Sequence, residues 1–335
     1  MEEKLFFSNR YRHQRNPSPP EQFTPRQRTA WFDYQNKVKT GVYRLTENPC
    51  ICGFQEDVLI SEVDRYNLDV HIKLCKKCGL MRQDPILDPE SLVSFYTHHY
   101  RSLYEGEEFS SLDEEFEYRH RHQVPQTFDY ISPYLKEGRV LDYGCGGGWL
   151  VKYFSDRGFE ATGFDYDLKY TSFAIGRGLR IIQGDTDQLQ RKGPYDLIVL
   201  SHVFEHLADI RGFVRKMEGL LHENGFVFIS LPGVLTGSLF GSLQNAHVWY
   251  FTLNTLRWVI ENNSRWRLSM GDETINSFFC GKEADPFHIN ALKDEHKRIL
   301  IHILKKEYRR FCHIKKFLDR VGLLDPLTRL ANFKR

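Results

Sequence analysis

Short apolar runs and amphipathic stretches alternate along the middle of the chain. RVLDYG (139–144), EATGFDYD (160–167), LRIIQGD (179–185), YDLIVLS (195–201) and FVFISLPG (226–233) each read as a short strand. GGGWLVKYFSDRG (146–158) reads as a helix closed by Gly158, and ADIRGFVRKMEGLL (208–221) as another. Strands alternating with helices predict a parallel, doubly wound α/β sheet with helices on both faces.

The flanks read differently. Residues 1–48 are polar and broken by Pro17, Pro19, Pro20 and Pro25, which predicts a flexible N-terminal arm whose end Trp31, Phe32 and Tyr34 anchor. Residues 49–105 hold four clustered cysteines between β-rich stretches. Residues 106–136 are charged, with Phe109, Leu112, Phe116 and Tyr118 in helical phase, and read as a helical connector. Residues 137–280 carry the α/β pattern. Residues 281–335 read as basic C-terminal helices, with Ile299, Leu300, Ile303, Leu304, Tyr308, Phe311, Ile314 and Leu318 at helical spacing. Packing of that stripe on its own domain is favoured over a membrane-surface role.

The 335 residues are enough to bury a core without disulfides, and the net charge of +2 argues against a nucleic-acid or membrane partner. There is no signal-peptide pattern and no transmembrane run, so a cytoplasmic location is expected. The seven cysteines include the pairs Cys50/Cys52 and Cys75/Cys78, a pattern read as metal binding before disulfides. C-x-x-C-G at 75–79 makes a good knuckle for tetrahedral zinc, and the C-x-C at 50–52 is one residue short of the usual spacing. His71 is a spare candidate ligand. A zinc ion held by Cys50, Cys52, Cys75 and Cys78 would be structural.

The strongest chemical signal is Asp142-Tyr-Gly144-Cys-Gly146-Gly-Gly148 at a strand end. Its glycines permit a tight turn and close ligand approach, and the following helix offers free N–H groups. The dinucleotide pattern fails, because Trp149 stands where its third glycine belongs. Asp165 ends the next strand, where a carboxylate can accept ribose hydroxyls, and Gly184-Asp185-Thr186 ends the third, a place to meet an adenine edge.

LDYGCGGG, GFDYD, GDTDQL, YDLIVLSHVFEHL and LLHENGFVFISLPG resemble, in order and spacing over roughly 138–235, the motifs of class I S-adenosylmethionine-dependent methyltransferases. The resemblance implies a Rossmann-like seven-stranded sheet with one antiparallel strand and S-adenosyl-L-methionine as cofactor. It implies that Gly144, Gly146 and Gly148 line the cofactor's amino-acid end. Asp142 would hold that end directly or through water, Asp165 would take the ribose, and Asp185 would approach the adenine amine. CICGF…LCKKCGLMRQDPILDPESLVSFYTHHYRSLYEG resembles the zinc-binding N-terminal module of a methyltransferase group in sugar and surface-polysaccharide pathways, extending the likeness to roughly 48–280.

Methyl transfer needs alignment and often a base for the acceptor proton. His202, Glu205 and His206 follow the fourth strand. In the related group Glu205 and His206 often shape the site, and His206 reads equally as a hydrogen-bonded helix-start histidine. His247 lies in QNAHVWYFTLNTL, similar to the family stretch Tyr-x-Glu-His-x-x-Tyr-Phe-(Ser/Thr), with Gln244 and Ala246 replacing the tyrosine and glutamate. Loss of those two polar residues argues against carbon methylation and leaves His247 as a lone base for oxygen methylation. The expected function is O-methylation of a small-molecule or glycan acceptor: a sugar or nucleotide-sugar. C-methylation of a nucleotide-linked ketosugar and a non-catalytic scaffold that binds partners through the zinc module and basic helices are the alternatives.

Overall fold

The computed structural model describes residues 3–13, 17–104, 109–184, 186–281 and 284–320, the side chains of 308–320 excepted. Asp185, residues 321–335 and the side chains of Tyr308, Phe311, Ile314 and Leu318 therefore lie outside the described residues.

The N-terminal part is built on a mixed sheet. Strand β1 (Glu3–Lys4) runs parallel to β2 (Asp57–Val63), which pairs antiparallel with β3 (Asp69–Cys75), and β3 with β4 (Met81–Gln83). Helix α1 (Pro25–Lys39) corrects the expectation of a flexible arm over 1–48. Pro25, read as a breaker, instead occupies the first helical turn, where its missing N–H costs nothing. Thr24 and Gln27 close a reciprocal capping box, and Gln27, Ala30, Trp31 and Tyr34 form a buried stripe at helical spacing. The Trp31 indole N–H donates to the Tyr66 carbonyl at 2.8 Å, whereas Phe32 stays exposed. Helices α2 (Pro89–His98) and α3 (Tyr100–Tyr104) complete this part, and α4 (Leu112–His122) and α5 (Val124–Ile131) follow.

The α/β part follows the predicted alternation. Strands β5 (Arg139–Tyr143), β6 (Glu160–Asp165), β7 (Ile181–Gln183), β8 (Tyr195–Ser201) and β9 (Leu221–Ser230) are parallel, with helices α6 (Trp149–Ser155), α7 (Leu168–Gly176), α8 (Thr186–Lys192) and α9 (Ile210–Glu218) between them. Strand β10 (Trp249–Tyr250), helix α10 (Leu253–Glu261), strands β11 (Trp266–Gly271) and β12 (Asn276–Gly281) and helix α11 (Glu295–Arg320) follow. The seven-stranded order is β11-β12-β9-β8-β5-β6-β7, with β12 antiparallel to both neighbours. The sheet with its helices and the one antiparallel strand agrees with the expected Rossmann-like class.

Strand alternation splits the core between two faces. Leu141, Ile198 and Leu200 pack with Ile210, Val214 and Met217 of α9 and with Leu256 and Val259 of α10. Val140, Leu197 and Val199 pack on the other face with Ile131 of α5 and Leu150, Val151 and Phe154 of α6. Full burial of an aromatic such as Phe154 contributes roughly 1.5–3 kcal/mol. The two parts are interlocked rather than strung in sequence. β10 pairs antiparallel with β4 and so completes the N-terminal sheet. Ile299 and Ile303 of α11 are buried in that part's core and Leu300 partly so, whereas Leu304 of the same predicted stripe is exposed. Among the described residues, no helix is long and apolar enough to cross a membrane.

Candidate active site

The chain leaves β5, builds β6 and β7 to one side, then crosses to β8 on the other, so the order reverses between β5 and β8. Open α/β sheets place ligand crevices outside the carboxyl ends of strands at such a reversal. The described cofactor-side and acceptor-side residues singled out from sequence cluster there. A cleft of about 620 Å³ lined by Glu137, Arg139, Glu160, Asp196 and His222 lies instead at the amino ends of the strands.

After β5 the chain turns sharply. Gly144 and Cys145 both donate their N–H to the Phe164 carbonyl, at 2.7 and 3.0 Å. Gly144, Gly146 and Gly148 have φ of +85°, +51° and +78°, a region that favours glycine. A Cβ on Gly144 would lie 2.5 Å from Val203 Cγ2, and one on Gly146 2.8 Å from the Trp149 ring. The turn therefore lies directly against the segment that follows β8.

Asp165 faces this turn. Its Oδ2 accepts the Gly146 N–H at 2.8 Å and its Oδ1 the Asp167 N–H at 2.9 Å. Each oxygen retains a lone pair for a further donor. Asp142 is buried beneath the turn, and burial, helped by the Asp165 charge, pushes its carboxyl up to about 7. Thr186 begins α8 beyond the third strand.

Sequence reasoning missed the supports around this crevice. Asp167 caps α7 and pairs with Arg101 of α3, which ties the N-terminal part to the tip of β6. Glu115 of α4 accepts the Tyr170 hydroxyl at 2.7 Å and the Arg119 guanidinium at 2.7 Å, and Arg119 lies over Trp149. Tyr96, Tyr100 and Tyr104 recur every fourth residue, a spacing that could have flagged a shared helical face.

All four acceptor-side candidates converge. His202 follows β8 with φ +54°, held there as its N–H donates to the Ser230 carbonyl at 2.8 Å. Its imidazole is exposed, with Nδ1 3.5 Å from Glu205 Oε1. His206 Nε2 and His247 Nε2 each lie 3.9 Å from the same oxygen. Tyr96 and Tyr100 flank His206 with ring centroids 6.2 and 5.8 Å away, so the N-terminal part packs against this cluster. The loop bearing His247 is lashed down on both sides. Asn245 N–H donates to Asp64 Oδ2 at 3.0 Å, Val248 N–H to the Glu205 carbonyl at 2.9 Å, and Gln83 N–H to the Val248 carbonyl at 2.9 Å.

The charges follow from this packing. Burial alone would raise the Glu205 carboxyl, but His202 and the neighbouring imidazoles outweigh it and hold the group at about 2. The Glu205 carboxylate beside it raises His202. Burial holds His206 down and His247 well down, so His247 is neutral in the ordinary range. Gln244 turns its amide to His247 Nε2 while its carbonyl oxygen accepts from Arg65 at 3.2 Å.

The two cysteine pairs also meet. Cys50 Sγ lies 3.5 Å from Cys78 Sγ, Cys52 Sγ 3.6 Å from Cys75 Sγ, and the four sulfurs all lie within 4.8 Å of one another. Sulfurs on a tetrahedral zinc at 2.3 Å would be about 3.8 Å apart. The short C-x-C still closes the set, because Gly53 at φ +77° lets its N–H turn back to the Cys50 carbonyl at 2.9 Å. His71 stands apart, 3.7 Å from Asp69.

Residues 116–263 match the family model described as a methyltransferase domain. That stretch of the chain is similar to such a domain. Its curated relatives include a ubiquinone biosynthesis O-methyltransferase of Bordetella avium, 30% identical over 143 residues, 38% of this chain and 59% of that protein. One of the same name from Rickettsia conorii is 23% identical over 184 residues, 49% of this chain and 63% of that protein. The chain thus spans about three-fifths of the length of these relatives. A methyltransferase structure from Archaeoglobus fulgidus has 21% identity and a TM-score of 0.38, covering 48% of this chain and 79% of that one.

Proposed function

We propose that the chain is a class I S-adenosylmethionine-dependent O-methyltransferase acting on a hydroxyl of a small molecule. The observation that carries this reading is the contact between Gly144 and Val203, which sets the glycine turn and Asp165 directly beside the His202–Glu205 segment. The positive-φ glycines and the spare acceptor positions of Asp165 fit the proposed cofactor. Gly144, Gly146 and Gly148 would line its methionine end, Asp142 would face the ammonium, Asp165 the ribose, and Thr186 the adenine side. The proposed Asp185 contact concerns a residue outside the described ones. When bound, the cofactor supplies a methyl group on a positively charged sulfur leaving group.

The chain's own residues supply orientation and proton removal. Tyr96, Tyr100 and His206 form one wall for the acceptor. His202, exposed and backed by the Glu205 carboxylate, suits the base better than His247, whose Nε2 faces the Gln244 amide in a closed core. The site assignment thus shifts from His247 to His202, with Glu205 and His206 supporting it.

A sugar or nucleotide-sugar hydroxyl is the first acceptor class, because aromatic faces suit a sugar ring and the N-terminal module resembles that of sugar-pathway enzymes. A phenolic hydroxyl is the second, favoured by the names of the curated relatives. Carbon methylation loses support from the neutral Gln244 and Ala246 beside His247. A scaffold would have no use for the glycine turn and Asp165 together. We also propose that the four cysteines hold a structural zinc ion, on the sulfur spacing given above. Incubation of the full chain with labelled cofactor and panels of nucleotide-sugars, glycans, keto sugars and catechols, read by mass spectrometry, tests the reading. Label on a sugar oxygen is expected; label on carbon or on a phenol would replace that acceptor class.

A further inference from the structure

Glu205 is the polar side chain that the fold treats most strangely. It is 1% exposed, and neither carboxylate oxygen has a hydrogen-bond partner among the described residues. A buried ionised carboxylate left this way costs several kcal/mol. Three imidazole nitrogens surround Oε1 at 3.5, 3.9 and 3.9 Å. These spacings exceed a normal N–H···O bond of about 2.7–3.2 Å. They approach the roughly 3.3–3.5 Å between donors that share one tetrahedral ion at about 2.0–2.1 Å.

The partners of the imidazoles point the same way. His206 Nδ1 lies 3.0 Å from both the Ala246 carbonyl and the Tyr96 hydroxyl, and a ring proton on Nδ1 would donate to that carbonyl, which can only accept. The Nε2 lone pair is then left facing Glu205. A metal-bound histidine is oriented in this manner, its other nitrogen donating to a backbone carbonyl. His247 Nε2 faces the same carboxylate and becomes free to ligate once the Gln244 amide turns away from it.

We infer that Glu205, His206 and His247 form a binding site for a first-row divalent transition ion at the acceptor side of the crevice. The three donor atoms lie within 4.8 Å of one another, and a carboxylate with two imidazoles suits zinc or its neighbours rather than magnesium or calcium. His202, exposed at the mouth, closes the site from solvent or takes the acceptor's proton. The inference rests on the methyl-transfer reading for its role. The ion would hold the acceptor hydroxyl and acidify it. The proton passes to His202, the oxygen's electron pair bonds to the methyl carbon, and the carbon–sulfur bond breaks to leave neutral S-adenosylhomocysteine.

Cobalt(II) serves as the probe, added to the full chain with its thiolate cluster already filled with zinc. Calorimetry and visible absorption should show uptake of one Co²⁺ per chain without thiolate-to-metal charge transfer. Glu205→Gln and His247→Gln should each weaken that uptake by more than about 100-fold, beyond the 10–100-fold lost when only a ligand's outer hydrogen-bond partner is removed. Each variant is checked for wild-type circular dichroism and for S-adenosylhomocysteine binding. No uptake at millimolar Co²⁺, or uptake unchanged in folded Glu205→Gln, overturns the site. Loss of cobalt uptake with intact S-adenosylhomocysteine binding leaves the methyl-transfer reading standing, whereas wild-type protein that takes cobalt but no S-adenosylhomocysteine contradicts that reading alone.

Discussion

Asp142 offers a perturbation whose size follows from its burial. The carboxyl lies under the glycine turn and is pushed up to about 7, by burial first and the Asp165 charge second. An unfolded aspartate titrates near 3.9. With its folded value raised, the group stabilises the cofactor-free fold at low pH, and that contribution fades as pH rises toward 7. The cost at neutral pH is about 4 kcal/mol. A cofactor ammonium facing Asp142 would reverse the preference by stabilising the charged form. Binding must then drive a proton off, and each pH unit below 7 should weaken affinity about tenfold, or about 1.4 kcal/mol. S-adenosylhomocysteine should therefore bind about 100-fold more weakly near pH 5 than near pH 8. Calorimetry across that range, in buffers of different ionisation enthalpy, reads both the affinity and the released proton. Asp142→Asn should bind more weakly at pH 8 and show a flat profile. A flat wild-type profile, or an unchanged slope in Asp142→Asn, refutes the argument.

Three further outcomes follow from the packing. Gly144→Ala places a methyl 2.5 Å from Val203 Cγ2 at a φ of +85°, and should cost roughly 1–3 kcal/mol in urea denaturation, with partial rescue by Val203→Ala; equal stability of Gly144→Ala and wild type would contradict the contact. Metal analysis should find zinc at one per chain, lost in Cys75→Ser/Cys78→Ser, and chelation should melt the N-terminal part first; a metal-free wild-type protein of full stability would remove the zinc. Arg82 is 2% exposed, forks onto Asp57 at 3.0 and 2.7 Å and donates to the Asn48 carbonyl at 2.6 Å, so Arg82→Ala should cost roughly 3–5 kcal/mol by the same denaturation assay; a loss below 1 kcal/mol or so would show the pair to be replaceable.

What could be read from sequence was what local chemistry dictates. The strand ends at Tyr143, Asp165 and Ser201 lie within the predicted strands, because apolar runs stop where glycine, acid or serine begins. The cysteine pairs meet although one is short, since glycine at 53 and 79 sets both turns. What escaped reading depends on residues distant in the chain. Pro25 opens a helix because Trp31 and Tyr34 find a core made by β2 and β3. Trp249–Tyr250 joins the N-terminal sheet because β4 lies beside it, which no local pattern encodes. His202 and His247 exchanged proposed roles for the same reason: Gln244 faces His247 and Asp64 holds the neighbouring Asn245, so a distant segment helps to fix the loop that buries His247.

The central claim is that the crevice between β5 and β8 binds S-adenosylmethionine. Isothermal titration of the full chain with that cofactor tests it most directly. Saturable uptake of one molecule per chain, weakened in a folded Asp165→Ala variant, is the predicted result. Absence of heat at millimolar cofactor, or identical binding by Asp165→Ala, would contradict the account.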